Sequence, residues 1–427
     1  MQSTLLKNVT LNNEQTDILL ENNLIKKISK NITLNEPSTK IIDCTNKAII
    51  PPFYNTHTHS PMTLLKGLGS DKRLYEWLKE EMWPREAKMT PEDIYIGSKF
   101  AVLEMIKSGT VFFNDMYMFP DETMKVIDEM GIRGCVSEAK MDYKNKNNTE
   151  EVENLIKNFI EKKENFKHNR IIKTISCHAV YTCSEELLKF CANLAKKNNC
   201  FIHIHANETM QEVEDCKKEH NNLSPIEFLE KCNLLTEKTI LAHCVHLTNN
   251  DIEILKKYNV KIAHCPISNF KLNSGQFQFD KVLSSGIKIT LGTDGSASNN
   301  SLSMFEEMKV CALNAKSISN SPTAGKVEDI FNVATKNGAE IFGINAGEIK
   351  EGKLADFILV DLNHYQLIPN HDFISNLVYS ADNSVITDLF CDGKHIMKNG
   401  VVEGEKDIIE NFKKVAKKFR YVEKKDN

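Results

Sequence analysis

The feature that most restricts the fold of this chain is a rhythm. From Ala48 to Asp294, short apolar runs alternate with amphipathic stretches. The runs are Ala48–Ile50 continuing to His57, Thr110–Asn114, Arg133–Val136, Ile171–His178, Phe201–His205, Thr239–His243, Lys261–His264 and Lys288–Asp294. Between them, Pro91–Lys107, Glu151–Lys162, Ser184–Lys197 and Thr248–Lys257 place apolar residues at helical spacing. Eight strands alternating with helices over about 250 residues is the count of a (β/α)8 barrel, an α/β fold of TIM type.

The flanks read differently. Thr4–Val9, Asp17–Glu21, Leu24–Ile28 and Lys40–Asp43 are short strands between Asn-rich turns, with Asn22-Asn23 as a hairpin tip. After the barrel, Val327–Phe342 reads as one helix, and Glu351-Gly-Lys-Leu-Ala-Asp-Phe-Ile-Leu-Val-Asp361 returns to strand character. The predicted organisation is a β-sandwich domain split between 1–52 and 351–427, with the barrel over 53–350. The second part ends in a helix around Phe412, Val415, Ala416 and Phe419.

Composition narrows the class. The net charge is −4, from 54 Lys+Arg against 58 Asp+Glu, so the basic excess of a nucleic-acid binder is absent. No apolar run approaches the roughly 20 residues that span a bilayer, and Met1-Gln-Ser-Thr-Leu-Leu-Lys7 lacks the apolar stretch of a signal peptide. Twelve scattered cysteines without a Cys-x-x-Cys pair suit reduced thiols. A soluble cytoplasmic protein is expected, with a small-molecule substrate and neither nucleic acid nor membrane as partner. Whether copies associate into a homo-oligomer stays open.

What stands at the strand ends carries the chemistry. His57/His59, Asn114-Asp115, His178, His203/His205, His243, His264 and Asp294 all fall at the C-terminal ends of candidate strands, where barrels of this kind build their sites. Core packing alone would fill such positions with Val, Ile and Leu. In His57-Thr-His59 the alternation of a strand turns both imidazoles to one side. His205, His243 and Asp294 then offer further ligands, and imidazoles with a carboxylate suit Zn²⁺ or Fe²⁺. His203 shares a strand face with His205, so spacing does not choose between them.

Several longer stretches are distinctive: His57-Thr-His-Ser-Pro-Met-Thr-Leu-Leu-Lys-Gly67, Trp83-Pro-Arg-Glu86, His178-Ala-Val-Tyr181, His203-Ile-His-Ala-Asn-Glu-Thr209, Ala242-His-Cys-Val-His-Leu247 and Leu291-Gly-Thr-Asp-Gly-Ser-Ala-Ser-Asn-Asn300. With these the chain resembles the amidohydrolase superfamily, and within it the methylthioadenosine/S-adenosylhomocysteine deaminases. The resemblance runs nearly end to end; only the terminal helix and the stretch from about Asp142 to Asn169 lack a counterpart.

The resemblance implies a metal-dependent aminohydrolase that acts on a cyclic amidine in purine salvage. One divalent ion, Zn²⁺ before Fe²⁺, would be held by His57, His59, His205 and Asp294. Two-metal relatives use a carboxylated lysine at the end of the fourth strand; here that end is His178, which implies a single ion. His243 would orient the attacking water and Asp294 would take its proton. Glu208 would donate a proton to the ring nitrogen beside the carbon under attack, although a Glu at a helix start also suits the helix dipole. His203 would stand behind the ligands, His246 would be structural, and His264 would either line the pocket or pack.

Glu86 would bind the ribose hydroxyls and His178 would contact the nucleoside. Met116, Tyr117, Met118 and Phe119 would either wall a 5′-substituent or pack the loop. Relatives that accept S-adenosylhomocysteine use arginines after the third strand, where Glu138 stands here; a carboxylate facing a carboxylate repels. The expected substrates are therefore 5′-methylthioadenosine, 5′-deoxyadenosine or adenosine. The alternatives are a deaminase or chlorohydrolase of guanine, a pterin or a triazine, and a non-catalytic metal-binding scaffold.

Overall fold

A computed structural model describes residues 3–33 and 38–420. Residues 1–2, 34–37 and 421–427, which fall in the expected terminal parts, lie outside the described residues. Five strands open the chain: β1 (Ser3–Leu11), β2 (Glu14–Glu21), β3 (Leu24–Ser29), β4 (Lys40–Asp43) and β5 (Lys47–Ile50). Eight more follow, β6 (Phe53–Thr58), β7 (Thr110–Tyr117), β8 (Arg133–Glu138), β9 (Ile171–Ala179), β10 (Phe201–Ala206), β11 (Thr239–His243), β12 (Lys261–His264) and β13 (Lys288–Leu291). The last four are β14 (Phe357–Asp361), β15 (Ile386–Cys391), β16 (Lys394–Lys398) and β17 (Val401–Val402).

Strands β6 to β13 pair in sequence order and in parallel. The ring is drawn together between β13 and β6 by Asp294 N–H donating to the His57 carbonyl (3.0 Å) and Thr56 Oγ1 donating to the Leu291 carbonyl (2.9 Å). Asn55 completes the seam, donating to Thr293 Oγ1 at 2.7 Å and accepting from Thr293 N–H at 3.0 Å. Such strands, buried on both faces, are near-continuously apolar, and β7 and β11 are buried along their full length.

The single run read from Ala48 to His57 is two strands in two sheets. Pro51 and Pro52 bring no backbone N–H to a ladder. The chain therefore leaves one sheet after Ile50 and enters the barrel at Phe53. The helix read as Val327–Phe342 is likewise broken, into Val327–Ala334 and Lys336–Ile341, by Thr335 at φ −124° and ψ −88°.

The N- and C-terminal segments meet in a mixed nine-stranded sheet, with β5 paired to β1 on one side and to β14 on the other. Ile25 N–H donates to the Lys353 carbonyl (2.9 Å) and Gly352 N–H to that of Ile25 (2.8 Å), so the sheet curls back on itself. It encloses a core of its own that includes Leu6, Ile18, Ile25, Phe357, Leu359 and Phe390. Among the described residues, no helix is long and apolar enough to cross a membrane.

The two units are joined by charge as well as by apolar contact. Arg133 on β8 makes a forked pair with Asp356, Nε to Oδ2 at 2.7 Å and Nη2 to Oδ1 at 3.1 Å, and reaches Asp392 Oδ1 at 3.0 Å. Both Arg133 and Asp356 side chains are almost wholly buried. Losing one partner of a buried pair costs about 3–5 kcal/mol; without Asp356 the buried guanidinium would keep only its single contact to Asp392, which places the loss toward the lower end of that range. Asp356→Ala should lower the unfolding free energy by that amount in denaturant titration, whereas an exposed pair such as Lys413–Glu410 should change it by less than about 1 kcal/mol when broken.

Candidate metal centre and substrate cavity

Six strand ends and the loops after them build the site. His57 and His59 lie at the end of β6, where the alternation of a strand sets both toward the barrel axis. His205 comes from β10, His243 from β11, and Asp294 from just beyond β13. Asp294 Oδ1 lies 3.4 Å from His57 Nε2 and 3.2 Å from His59 Nε2, and His205 Nε2 lies 3.3 Å from His59 Nε2. Ligand atoms of His57, His205 and His243, and those of His57, His59 and Asp294, fall within 4.8 Å of one another.

The second nitrogen of each imidazole is already engaged. His59 Nδ1 meets the Met116 carbonyl at 2.6 Å, His205 Nδ1 the His178 carbonyl at 2.7 Å, and His243 Nδ1 the Asn269 Oδ1 at 2.9 Å. A carbonyl accepts only, so Nδ1 carries the proton and Nε2 presents its lone pair to the centre, the arrangement metal-binding histidines share. His57 Nδ1 is paired with His203 Nε2 at 2.9 Å, while His57 Nε2 is buried with no hydrogen-bond partner. An orphaned imidazole nitrogen aimed at a carboxylate fits a cation between them. The donor set fits one divalent ion.

Asp294 is held ionised. Its Oδ1 accepts from Gly295 N–H at 2.7 Å, and its Oδ2 from Ser268 Oγ at 2.6 Å and Ser298 Oγ at 3.0 Å. Burial opposes its charge, but the His57 and His59 contacts hold the carboxyl well below its ordinary range. Burial also opposes charge on His59, and Asp294 nevertheless lifts it to about 9; burial prevails at His57, which falls to about 4. His243 and Asp294 both adopt left-handed backbone, φ 71° and 60°, a strain that persists only where the surroundings dictate it.

Glu208 stands three residues beyond His205 and lies 3.7 Å from His243 Nε2. It is 3% exposed. Burial, aided by the Asp294 charge, raises it to about 8. Ser274 Oγ donates to its Oε1 at 3.4 Å, and Glu212 accepts from the Glu208 backbone N–H at 2.7 Å. His246 in turn holds the Ser274 carbonyl at 2.6 Å.

The cage opens into a cavity lined by His59, His178, His205, Glu208, His243 and Asp294. The same cavity is lined by Met62, Leu74, Trp77, Leu78, Met118 and Met141, and by Glu86 and Tyr117. Tyr117 donates to Glu86 Oε1 at 2.7 Å, and burial raises the Glu86 carboxyl. His178 lines the cavity with its Nδ1 on Thr182 Oγ1 at 2.8 Å; burial depresses it to about 3.

Some expected positions lie elsewhere. Glu138 is outside the cavity: its carboxylate pairs with Lys140 at 3.5 Å and faces a separate surface cleft beside Phe119, Pro120 and Leu155. The period of two along a strand is the reason, since it turns 138 and 140 one way and 139 and 141 the other; Ala139 and Met141 line the cavity instead. Phe119, at φ 54°, joins the same outer cleft. Asp115 faces the backbone after His59, accepting from Ser60 N–H (2.6 Å) and Ser60 Oγ (2.9 Å). His264 is not in the lining; it stacks on Phe277 at 4.4 Å, with both ring nitrogens unpartnered. Sequence reasoning passed over Asn269, Ser268, Ser298, Ser274 and Glu212, which hold the site residues from behind.

A cage of imidazoles and one carboxylate at the C-terminal mouth of a parallel barrel, set in a cavity with polar and apolar walls, defines a class of barrels built to hold metal beside an organic substrate. Residues 48–396 match the model of the amidohydrolase family, and the chain belongs to that family. It is 43% identical to a 5′-deoxyadenosine deaminase of Methanocaldococcus jannaschii over 93% of this chain and 94% of that one. It is 42% identical to 5-methylthioadenosine/S-adenosylhomocysteine deaminase 1 of Archaeoglobus fulgidus, over 92% of this chain and 93% of that one. Among solved structures, an adenosine deaminase from Xanthomonas campestris with bound zinc superposes with a TM-score of 0.88 at 28% identity, covering 99% of both chains.

The seam yields a test. A Cβ on Gly292 would sit 2.8 Å from the His57 N, O and Cβ atoms. Gly292→Ala must push β13 from β6 and carry Asp294 away from His57. Overpacking of this kind costs about 1–3 kcal/mol, so the variant should melt lower and, after dialysis, retain less metal than the unaltered protein in elemental analysis.

Proposed function

We propose that this chain catalyses the metal-dependent hydrolytic deamination of an adenine nucleoside, yielding the inosine analogue and ammonia. The observation that carries the reading is Glu208, a carboxyl group buried 3.7 Å from His243 Nε2 at the edge of the cage, where burial and the Asp294 charge raise its pKa to about 8. His57, His59, His205 and Asp294 would hold the ion, which we take to be Zn²⁺. When bound, such an ion lowers the pKa of water from 15.7 to roughly 7.

The chain's own groups divide the remaining work. Asp294, an acceptor at the centre of the cage, takes the proton of the attacking water and later returns it to the departing amine. His243, its Nδ1 fixed by Asn269, keeps Nε2 toward the cage and orients the attack. Glu208 donates its proton to the ring nitrogen beside the amino-bearing carbon, which makes that carbon electrophilic. Ammonia then leaves as the carbonyl forms, and the hydroxyl proton released in that step restores the acid form of Glu208. Glu86 accepts from the ribose hydroxyls, with Tyr117 holding one of its oxygens in place, and His178 contacts the nucleoside.

The 5′-substituent is small and uncharged in this reading. An ionised amino-acid group set against Met62, Leu78, Met118 and Met141 would lose its water and gain no partner. We therefore favour 5′-deoxyadenosine, 5′-methylthioadenosine and adenosine over S-adenosylhomocysteine, on the apolar wall rather than on Glu138. The relatives' names support both the adenine nucleoside and the 5′-deoxy or methylthio group. Catalysis is assigned to residues 53–350, with 1–52 and 351–427 as an accessory unit. The twelve unpaired cysteines support a reducing, cytoplasmic setting.

Ammonia release should be measured over 5′-deoxyadenosine, 5′-methylthioadenosine, adenosine, S-adenosylhomocysteine and guanine, with metal content determined on the same sample. The expected order places the small uncharged nucleosides at least about tenfold above S-adenosylhomocysteine in kcat/KM, since a missing polar partner is worth that much. No release from any nucleoside by metal-loaded protein would refute the reading.

Glu208 gives a pH signature. Its acid form, the proton donor, is full below its raised pKa of about 8 and is lost as pH climbs through that value. The kcat/KM profile should therefore fall on its alkaline side near pH 8. Glu208→Gln should lose about 10²–10⁴-fold in kcat, with that alkaline limb gone.

A further inference from the structure

One wall of the cavity is built from a segment with little stability of its own. It comprises a 3-10 turn, Ser60–Leu65, then helices of one turn each at Leu74–Trp77 and Trp83–Glu86, with a π-turn, Leu78–Met82, between them. None of these has a side-chain N-cap hydrogen bond. Helices this short do not hold themselves together in water. Yet this segment carries Glu86, Trp77, Leu78 and Trp83 to the cavity.

What holds it is the end of the chain. The helix Glu405–Ala416 and the 3-10 turn Lys417–Phe419 lie across it, and Val415 and Phe419 are buried in one apolar cluster with Leu74, Trp77, Leu78 and Met82. Arg85, adjacent to Glu86 and 7% exposed, donates from Nε to the Phe419 carbonyl at 3.1 Å. Its Nη1 donates to the Glu81 carbonyl (2.7 Å) and carboxylate (2.6 Å). Lys418 pairs with buried Asp93 at 2.8 Å, and Phe412 stacks on Phe100 at 3.8 Å. One guanidinium, on the residue before the ribose-binding candidate, thus joins the π-turn to the 3-10 turn at Phe419.

We infer that the C-terminal helix is a brace for the substrate wall, with Phe419 and Arg85 as positioning residues for Glu86. Loosening it should weaken nucleoside binding while leaving the metal cage, which stands on barrel strands, unaltered. The binding part of this inference rests on the proposed nucleoside substrate; the conformational part does not. The sequence supplies a reporter for the latter, because the chain contains two tryptophans, Trp77 and Trp83, and both lie in the braced wall.

The experiment compares full-length Phe419→Ala, Phe419→Leu and Glu410→Ala with the unaltered metal-loaded protein. In Phe419→Ala, acrylamide quenching of tryptophan fluorescence should rise and the emission should shift to the red, with metal content unchanged. KM for 5′-deoxyadenosine should rise about fivefold or more while kcat changes by less than about twofold, the signature of lost uniform binding. Phe419→Leu should restore most of both, and Glu410→Ala, on the exposed face of the same helix, should match the unaltered protein. If Phe419→Ala does not fold, Lys418→Ala carries the same test through the Asp93 contact. Unchanged quenching and KM would overturn the brace, as would a fall in kcat and metal content together with the rise in KM. Should the unaltered protein deaminate no nucleoside, the proposed function fails and quenching alone decides the brace.

Discussion

Asp294 is an ionised carboxylate at 6% exposure, and a charge so placed survives only when it is paired and hydrogen-bonded. Its two hydroxyl donors, Ser268 and Ser298, and the Gly295 N–H satisfy part of its capacity. The rest points at His57 and His59. A field of this kind draws positive charge to the centre of the cage, and the His59 imidazole, lifted to about 9, registers it. The barrel seam exists in the form it does because this carboxylate must arrive there: Asn55, Thr293 and the close approach of Gly292 bring β13 against β6, and the Asp294 N–H is spent on the His57 carbonyl. Closure of the ring and assembly of the cage share the same contacts.

Much of this was legible in the sequence because the signals are local. Short apolar runs alternating with helical stretches located the barrel strands, and imidazoles at strand ends have no better explanation in a barrel than a site. The parallel ring and the joining of both chain ends in one sheet follow from the same rhythm. Other features depend on tertiary contact and leave no local trace. Asn269, Ser268 and Ser298 come from turns after β12 and β13 and look like ordinary loop residues until the strands are brought together. His203 and His205 share a face, and only depth separates them: His205 reaches the cage, while His203 meets His57 from behind. Glu138 is a different case. Its orientation could have been read, since strand parity places it opposite Ala139 and Met141, and alignment to relatives hid what alternation states directly.

The cavity brings two kinds of stability together. Its cage side stands on β6, β10 and β11, whose residues are almost all buried, and on hydrogen bonds that leave each imidazole one orientation. Another part of its lining is a chain of single helical turns packed under the C-terminal helix. Local stability in proteins varies in this way, and ligand-binding segments are drawn from the less stable parts.

The two carboxylates in this cavity, Asp294 and Glu208, differ in environment more than in position. Asp294 has hydroxyl and amide donors and two imidazoles at contact distance, and it ionises. Glu208 is buried with one long hydroxyl contact and the Asp294 charge nearby, which together raise its pKa to about 8. Each state sustains the other, because the charge on Asp294 disfavours a second charge on Glu208. Environments that push two titratable groups apart define an acid and a base without any further instruction. Glu212, itself raised to about 7 chiefly by burial, accepts the Glu208 backbone N–H from behind. In the proposed reaction one group would protonate a ring nitrogen and another would deprotonate water in the same cavity, and the separation this calls for comes from burial and from which residues supply hydrogen bonds.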